Sequence, residues 1–398
     1  MRESNTYTYL DWAATAPLCA EARLAMQDYL FVEEEGLSKG ANPNSLHSCG
    51  RSSFGALEQA RLSLSRSLGI RRADELVFTS CATESNNTAL YGMVAALKKK
   101  ATQSGNASFV PHIITSEIEH DSVLAALRML ESLGCELSLI KPDSRGFIEA
   151  PELESAFRKN TVLVSIQYAN NEIGSVQAIE QLAKLTHDKG AFFHTDAVQA
   201  LGKIPFCIDE LGVDAASFSA HKIGGPKGIA ALYLKHSTPF LPLMRGGGQE
   251  AGKRSGTQNV CGAAAFAAAA QLAQDKIDQE PLRLRELRDY LYELCRDIEK
   301  VNPTFCVEPA SQDYLPHIVS LLVDGFESET LILRLDLKGF AVSGGSACSS
   351  HSLDPSHVLT AVGLSRDLAQ GSLRVSLGST TQKNDIDAFV VALKECIA

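Results

Sequence analysis

One lysine in this chain stands where covalent aldehyde chemistry would need it. Lys222 lies in Ser219-Ala220-His221-Lys222-Ile223-Gly224-Gly225-Pro226-Lys227-Gly228, between an apolar strand over residues 214–219 and a glycine-rich turn. An amine that captures an aldehyde must be held at a fixed point, desolvated enough to be neutral, and approached closely by a bulky ring. A strand end followed by glycines meets all of these needs. Other candidate residues fall just beyond other expected strands. Ser80-Cys81-Ala82-Thr83-Glu84-Ser85-Asn86-Asn87 opens a helix whose free N–H groups and dipole could bind phosphate, with the Thr83 hydroxyl beside them, or whose hydroxyl residues simply cap it. Asp196, in His194-Thr195-Asp196-Ala197-Val198-Gln199, could keep a pyridine nitrogen protonated or cap a helix. Asn171, in Asn170-Asn171-Glu172-Ile173-Gly174, could donate to a phenolic oxygen or only shape a turn. His120 after Glu119 could stack on an aromatic ring or shuttle protons. What favours chemistry is their joint placement: a phosphate-type helix start, His, Asn, Asp and Lys all belong on one rim of one sheet.

The elements that must carry them are legible as apolar runs at Leu76-Thr79, Ile113-Thr115, Leu137-Ile140, Val162-Tyr168, Phe192-Thr195, Ala215-Phe218 and Ala230-Leu234. Several lack polar alternation, so they are expected as buried strands of a mostly parallel sheet, with helices such as Leu124-Leu133 and Ile179-Asp188 as crossovers. After Arg245-Gly246-Gly247-Gly248 the texture changes to an alanine-rich helix, a charged helix over residues 281–300 and strands at Ile318-Val323 and Leu373-Leu377. The fold class is therefore α/β. A large domain over residues 16–255 is expected, with residues 1–15 and 256–398 forming a smaller α+β domain. Lys98-Lys99-Lys100 with Gly105-Asn106 reads as a solvated surface loop.

With 398 residues, 45% hydrophobic and 21% charged, the chain can bury substantial cores. Its net charge of -10 argues against nucleic acid or an anionic membrane as the main partner and favours small molecules or a basic protein. The 10 cysteines are scattered without a C-x-x-C pair, so no zinc ribbon or iron–sulfur framework is written locally, and most are expected to be reduced, buried and inert. No metal ligand set is expected. The polar amino terminus lacks an apolar signal core, and a cytoplasmic protein is expected.

Nearly end to end, the chain resembles the cysteine desulfurases of the NifS/IscS type, class V aminotransferase relatives with the type I pyridoxal-phosphate fold. The motifs include Leu10-Asp11-Trp12-Ala13-Ala14-Thr15-Ala16-Pro17, Ala41-Asn42-Pro43-Asn44-Ser45-Leu46-His47, the stretches around Thr83, Asn171, Asp196 and Lys222, Arg254-Ser255-Gly256-Thr257, Ser343-Gly344-Gly345-Ser346-Ala347-Cys348 and Arg374-Val375-Ser376-Leu377-Gly378. The resemblance implies a mostly parallel seven-stranded sheet and pyridoxal 5'-phosphate as cofactor. It makes Lys222 the covalent anchor, Asp196 the partner of the pyridine nitrogen and His120 the residue stacked on the ring. Ala82, Thr83, Ser219 and His221 would hold the phosphate, with Ala220 also against the cofactor. Asn171 and Gln199 would address the phenolic oxygen, and Asn42, Asn171 and Arg374 the substrate, Arg374 through its carboxylate. Thr257 would reach the phosphate of a neighbouring subunit, which implies a homodimer.

Cys348 is set apart by its surroundings. Ser343-Gly344-Gly345-Ser346-Ala347 precedes it and Ser349-Ser350-His351-Ser352 follows, a small polar segment suited to a thiolate that takes sulfur near a cofactor and carries it outward as a persulfide. The length of this segment, running on to Leu353-Asp354-Pro355, resembles the first of the family's two groups. The implied activity is removal of sulfur from L-cysteine to give L-alanine and a persulfide on Cys348, for delivery to a protein acceptor in iron–sulfur cluster assembly or tRNA or cofactor thiolation. A transient iron–sulfur contact at Cys348 is compatible with this. Scaffold-docking relatives often extend past the last helix, whereas this sequence stops at Ala398, so either kind of acceptor stays open. Selenocysteine lyase, a transaminase and a non-catalytic sulfur-trafficking protein are the alternative readings.

Overall fold

A computed structural model describes residues 7–30, 39–345 and 355–398. Its main feature is a seven-stranded sheet in the spatial order Leu76–Thr79, Ala230–Leu234, Ala215–Ser219, Phe192–Asp196, Thr161–Ser165, His112–Ser116, Glu136–Ile140. Ala230–Leu234 runs antiparallel to both neighbours, and the other pairings are parallel. Ala215–Ser219 and Ala230–Leu234 are buried at every residue, as a strand covered on both faces must be.

The two covering layers are built from helices with opposed apolar stripes. On one face Leu57, Leu64 and Leu68 pack with Phe193, Phe218 and Ile166. On the other, Leu90, Met93 and Val94 of helix Ala82–Gln103 meet Val123, Leu127 and Leu130 of helix Asp121–Ser132. The alanine-rich helix Val260–Asp275 lays Val260, Ala263, Phe266 and Ala270 into the first of these cores. Its small side chains allow close approach to helix Ser48–Ser67.

A second core gathers Leu284, Leu291, Val319, Leu321, Phe340, Val375, Phe389 and Leu393 around a three-stranded antiparallel sheet, ordered Ser372–Ser376, Ile318–Val323, Val301–Pro303. Thr8–Tyr9 pairs in parallel with Phe340–Ala341, and Leu10 enters this same core.

Some sequence expectations need correction. Lys98 to Lys100 are not in a loop: they form the exposed last turns of helix Ala82–Gln103, which breaks only near Gly105 at φ 89°. The charged helix runs Glu280–Cys295 and stops short of Lys300, where the chain turns into Val301–Pro303. The strand expected to reach Tyr168 ends at Ser165, although Tyr168 still donates to the Asp196 carbonyl at 2.8 Å. Among the described cysteines, all free, Cys135, Cys295 and Cys396 are buried, but Cys81 and Cys306 are exposed and the rest are half-buried. Most are therefore not buried, because several sit at element ends rather than on core faces.

Candidate active site

The parallel strands point their carboxyl ends at one rim, where an open α/β sheet places its ligand crevice. Asp196 ends one strand, Ser219 another, and the chain leaving Thr79, Ser116 and Ser165 continues into Ala82, His120 and Asn171. A cavity of about 250 Å³ opens there, lined among others by Ala82, His120, Asn171, Asp196, Lys222 and Arg374. Gln199 and His221 also line it.

Lys222 closes a single 3-10 turn, Ala220–Lys222, directly after its strand. The turn packs so tightly that a Cβ on Gly225 would lie 2.7 Å from the Ala220 Cβ, so glycine is required there. The half-buried Nζ of Lys222 donates to the carbonyls of Ala13 at 2.6 Å and Ala14 at 2.9 Å. Gln199 Nε2 donates to the same Ala13 carbonyl at 3.1 Å.

Asp196 is buried, and its carboxylate accepts from Asn86 Nδ2 at 2.7 Å and from the Val198 N–H at 3.0 Å. Asn86 also donates to Ser122 Oγ at 2.8 Å, and Ser122 Oγ lies 2.8 Å from His120 Nδ1. The Ser122 backbone N–H donates to that nitrogen too, at 3.1 Å, which leaves Nδ1 unprotonated and the ring proton on Nε2. A continuous chain thus runs Asp196, Asn86, Ser122, His120. It fixes both the carboxylate and the imidazole before any ligand arrives.

Beneath it lies Glu119, fully buried, accepting from the Ser116 hydroxyl and, at 2.9 Å, from the Gln167 N–H. Burial pushes its carboxyl up to about 8, aided by the charge of Asp196, so it is largely protonated at neutral pH. His221 is driven the other way. Burial first, then Lys222 and Lys227, push its imidazole down to about 4, so it meets an anion as a neutral ring.

Arg374 comes from the three-stranded sheet, in strand Ser372–Ser376, and is 2% exposed. Its Nη1 donates to the Asn171 carbonyl at 2.8 Å and its Nη2 pairs with Asp11 at 2.9 Å, while Nε has no partner. Nearby His317 is buried with neither ring nitrogen partnered, and burial together with Lys203, Arg374 and Lys222 holds it well below the ordinary histidine range. That end of the cavity is rich in positive charge.

The remaining expected residues fall into separate places. Ser219 and Ala220 are buried in the strand and turn that carry Lys222, and neither lines the cavity. Thr83 is exposed on the first turn of its helix, whose N-cap residue Cys81 makes no side-chain capping bond, so the leading N–H groups stay available to an anion. Asn42 and Thr257 are exposed and outside the cavity lining. Asn44 links the two segments that carry them: its N–H donates to Asn42 Oδ1 at 2.9 Å and its Nδ2 to Gln258 Oε1 at 2.8 Å.

Cys348 lies outside the described residues. The described ends of its segment meet beside Asn171 and Arg374. Ser343 and Arg374 exchange backbone hydrogen bonds at 2.7 and 3.2 Å, and Gly345 donates to Ser372 Oγ at 3.2 Å. Ser356 donates to the buried carboxyl of Glu172, and His357 reaches the Glu119 carbonyl at 3.0 Å.

Sequence reasoning missed Asn86, Ser122, Gln167, Glu119 and Asp11. Asn86 and Asp11 stood inside motifs already singled out, and Ser122 follows His120 by two residues, a helix-start position. The signal was there, but their targets lie far along the chain.

A cofactor with a phosphate, a protonated pyridine and an aldehyde would find its donors here. The uncapped helix start, the buried Asp196 and the Lys222 amine fit pyridoxal 5'-phosphate.

The model of the family described as aminotransferase class-V matches residues 8–389. A cysteine desulfurase IscS from Dictyoglomus turgidum is 43% identical over 390 residues, covering 98% of this chain and 94% of the relative. A solved NifS-like protein is 34% identical with a TM-score of 0.87, covering 98% of this chain and 99% of its own. A structure described as SspA in complex with cysteine is 31% identical with a TM-score of 0.76, covering 93% and 98%.

Proposed function

Because the chain belongs to the aminotransferase class-V family, we propose that it is a pyridoxal-phosphate-dependent cysteine desulfurase. The observation that carries this reading is the convergence of Lys222, Asp196, His120 and Arg374 in one cavity on the carboxyl rim of the sheet. Net, the sulfur of L-cysteine moves to the thiol of Cys348, leaving L-alanine and a Cys348 persulfide, so that a C–S bond breaks, an S–S bond forms and no external oxidant is needed.

Pyridoxal phosphate, when bound, supplies the electron sink that makes the substrate's α-proton removable. Asp196 would hold the pyridine nitrogen protonated, because a buried carboxylate already oriented by Asn86 favours an adjacent cation. His120 presents a neutral ring face whose orientation Ser122 fixes. Lys222 would hold the aldehyde, and its free amine would take the α-proton on Nζ and return one to the product, with the Ala13 and Ala14 carbonyls keeping that amine in place. Arg374 exchanges its Asp11 contact for the substrate carboxylate, a planar group that its guanidinium can meet with two parallel hydrogen bonds.

Ser343, at the described end of the segment that leads to Cys348, exchanges backbone hydrogen bonds with Arg374, a residue of the cavity lining, which supports Cys348 as the sulfur acceptor. The outward-facing pair of Asn42 and Thr257 supports a homodimer in which each subunit lends residues to its partner's site. A protein acceptor, an iron–sulfur scaffold or a thiolation protein, then takes the persulfide.

The test is incubation with L-cysteine, quantifying alanine and mapping the persulfide by mass spectrometry. Equimolar alanine and persulfide on Cys348 in the first turnover, both lost in Cys348→Ser, support the reading. Alanine production that survives Cys348→Ser contradicts it.

A further inference from the structure

The helix Ala82–Gln103 carries an acidic residue where an anion site can least tolerate it. Glu84 is the third residue of that helix, one position beyond Thr83, and its carboxylate accepts the Ser80 N–H at 2.7 Å. A carboxylate on the first turn competes with a phosphate for the positive end of the dipole and repels it. The chain answers this with Arg254, whose Nε and Nη2 meet the two carboxylate oxygens of Glu84 at 2.6 and 3.0 Å. Both side chains are largely buried, 15% and 12% exposed, so solvent does little to screen the pair.

Arg254 is held there by its loop. Glu250 and Ala251 take left-handed backbone, φ 50° and 53°, a conformation uncommon for non-glycine residues and costly unless the surroundings hold it. The constraint is a second buried pair: Glu250 accepts from Arg61 Nη1 at 2.7 Å and Nη2 at 2.9 Å, and from the Phe78 N–H at 2.9 Å. Phe78 belongs to the strand that leads into Ser80. Loop and helix start are thus fastened to each other twice, and the guanidinium of Arg254 has one place to go.

We propose that Arg254 is a positioning residue for phosphate recognition: by neutralising Glu84 it keeps the amino end of helix Ala82–Gln103 receptive to the cofactor's phosphate monoester. This rests on the pyridoxal-phosphate reading above. Arg254 acts through Glu84, not on the ring, the aldehyde or the substrate.

The experiment compares binding of pyridoxal 5'-phosphate and of pyridoxal, which keeps ring and aldehyde but lacks the phosphate, to cofactor-stripped protein by absorbance and fluorescence titration. Arg254→Met is expected to weaken the phosphate ester at least about tenfold, the size of one charge-assisted interaction, while shifting pyridoxal less than about threefold. The double variant Glu84→Gln/Arg254→Met removes both charges and is expected to return the phosphate ester to within about threefold of wild type. Equal losses for both compounds in Arg254→Met, or a double variant as weak as the single, overturn the proposal and leave the cofactor reading standing. Wild-type protein that binds neither compound overturns both.

Discussion

Two regions of this molecule meet the same demand, a functional side chain held in one orientation, by different physical means. At the sheet rim Asp196, His120 and Lys222 stand at or just beyond the ends of buried parallel strands; Asp196 and His120 are joined by hydrogen bonds through Asn86 and Ser122, and Lys222 is held by the Ala13 and Ala14 carbonyls. In the loop that presents Arg254 and Thr257 no strand is available, and two buried ion pairs, Arg61 with Glu250 and Arg254 with Glu84, hold a left-handed backbone in place. A sheet edge positions residues through packing that the core maintains anyway. A loop needs dedicated contacts, here the two buried ion pairs.

Changes at the rim should therefore remove chemistry and leave the fold, whereas breaking the Arg61–Glu250 pair of the loop should cost stability first. The largest effect is expected for Lys222→Ala, which loses the covalent anchor and the proton-transferring amine together: alanine formation should fall by about 10³-fold or more, with a melting temperature close to that of wild type. Asp196→Ala follows, with kcat reduced on the order of 10²-fold or more as the pyridine nitrogen loses its partner. Arg61→Met strands the buried Glu250 carboxylate and should cost about 3–5 kcal/mol in denaturant unfolding, far more than any rim variant. Ser122→Ala cuts the chain between Asn86 and His120 and should lower kcat only about tenfold, with stability reduced by about 1 kcal/mol.

The smallest expected effect concerns pH. Glu119 binds its proton more tightly when folded, its carboxyl raised to about 8, so the stability tied to that proton is complete below the ordinary carboxylate range and is lost as pH rises toward 8. Glu119→Gln lacks that loss. Its melting temperature relative to wild type should climb by on the order of 2–4 °C between pH 5 and pH 8, and a constant difference would show that Glu119 is not protonated in the fold.

The same contrast decides how much was legible in the sequence. Rim residues announce themselves because a strand leaves an apolar run and its end is marked by a change to small or polar residues, so Lys222, Asp196, His120 and Asn171 could be placed together from local pattern alone. The seven strands were found for the same reason. Clamp residues carry no such mark. Arg61 and Glu250 are 189 positions apart, and Arg374 and Asp11 are 363 apart, so nothing local shows either pair. Left-handed backbone at Glu250 and Ala251 is equally silent, since neither is glycine. Lys98 to Lys100 misled in the opposite sense: a run of charge on the solvent face of a long helix has the composition of a loop, and only the buried Leu90, Met93 and Val94 before it show that the helix continues.

The account stands on Lys222 holding an aldehyde cofactor above Asp196. Borohydride reduction of the protein purified with its cofactor, followed by peptide mapping, tests this most directly. The mass of a reduced phosphopyridoxyl group on the peptide carrying Lys222, with loss of the visible absorbance band, is the predicted result. A modified lysine elsewhere, or no modification in protein that still releases alanine from cysteine, would contradict it.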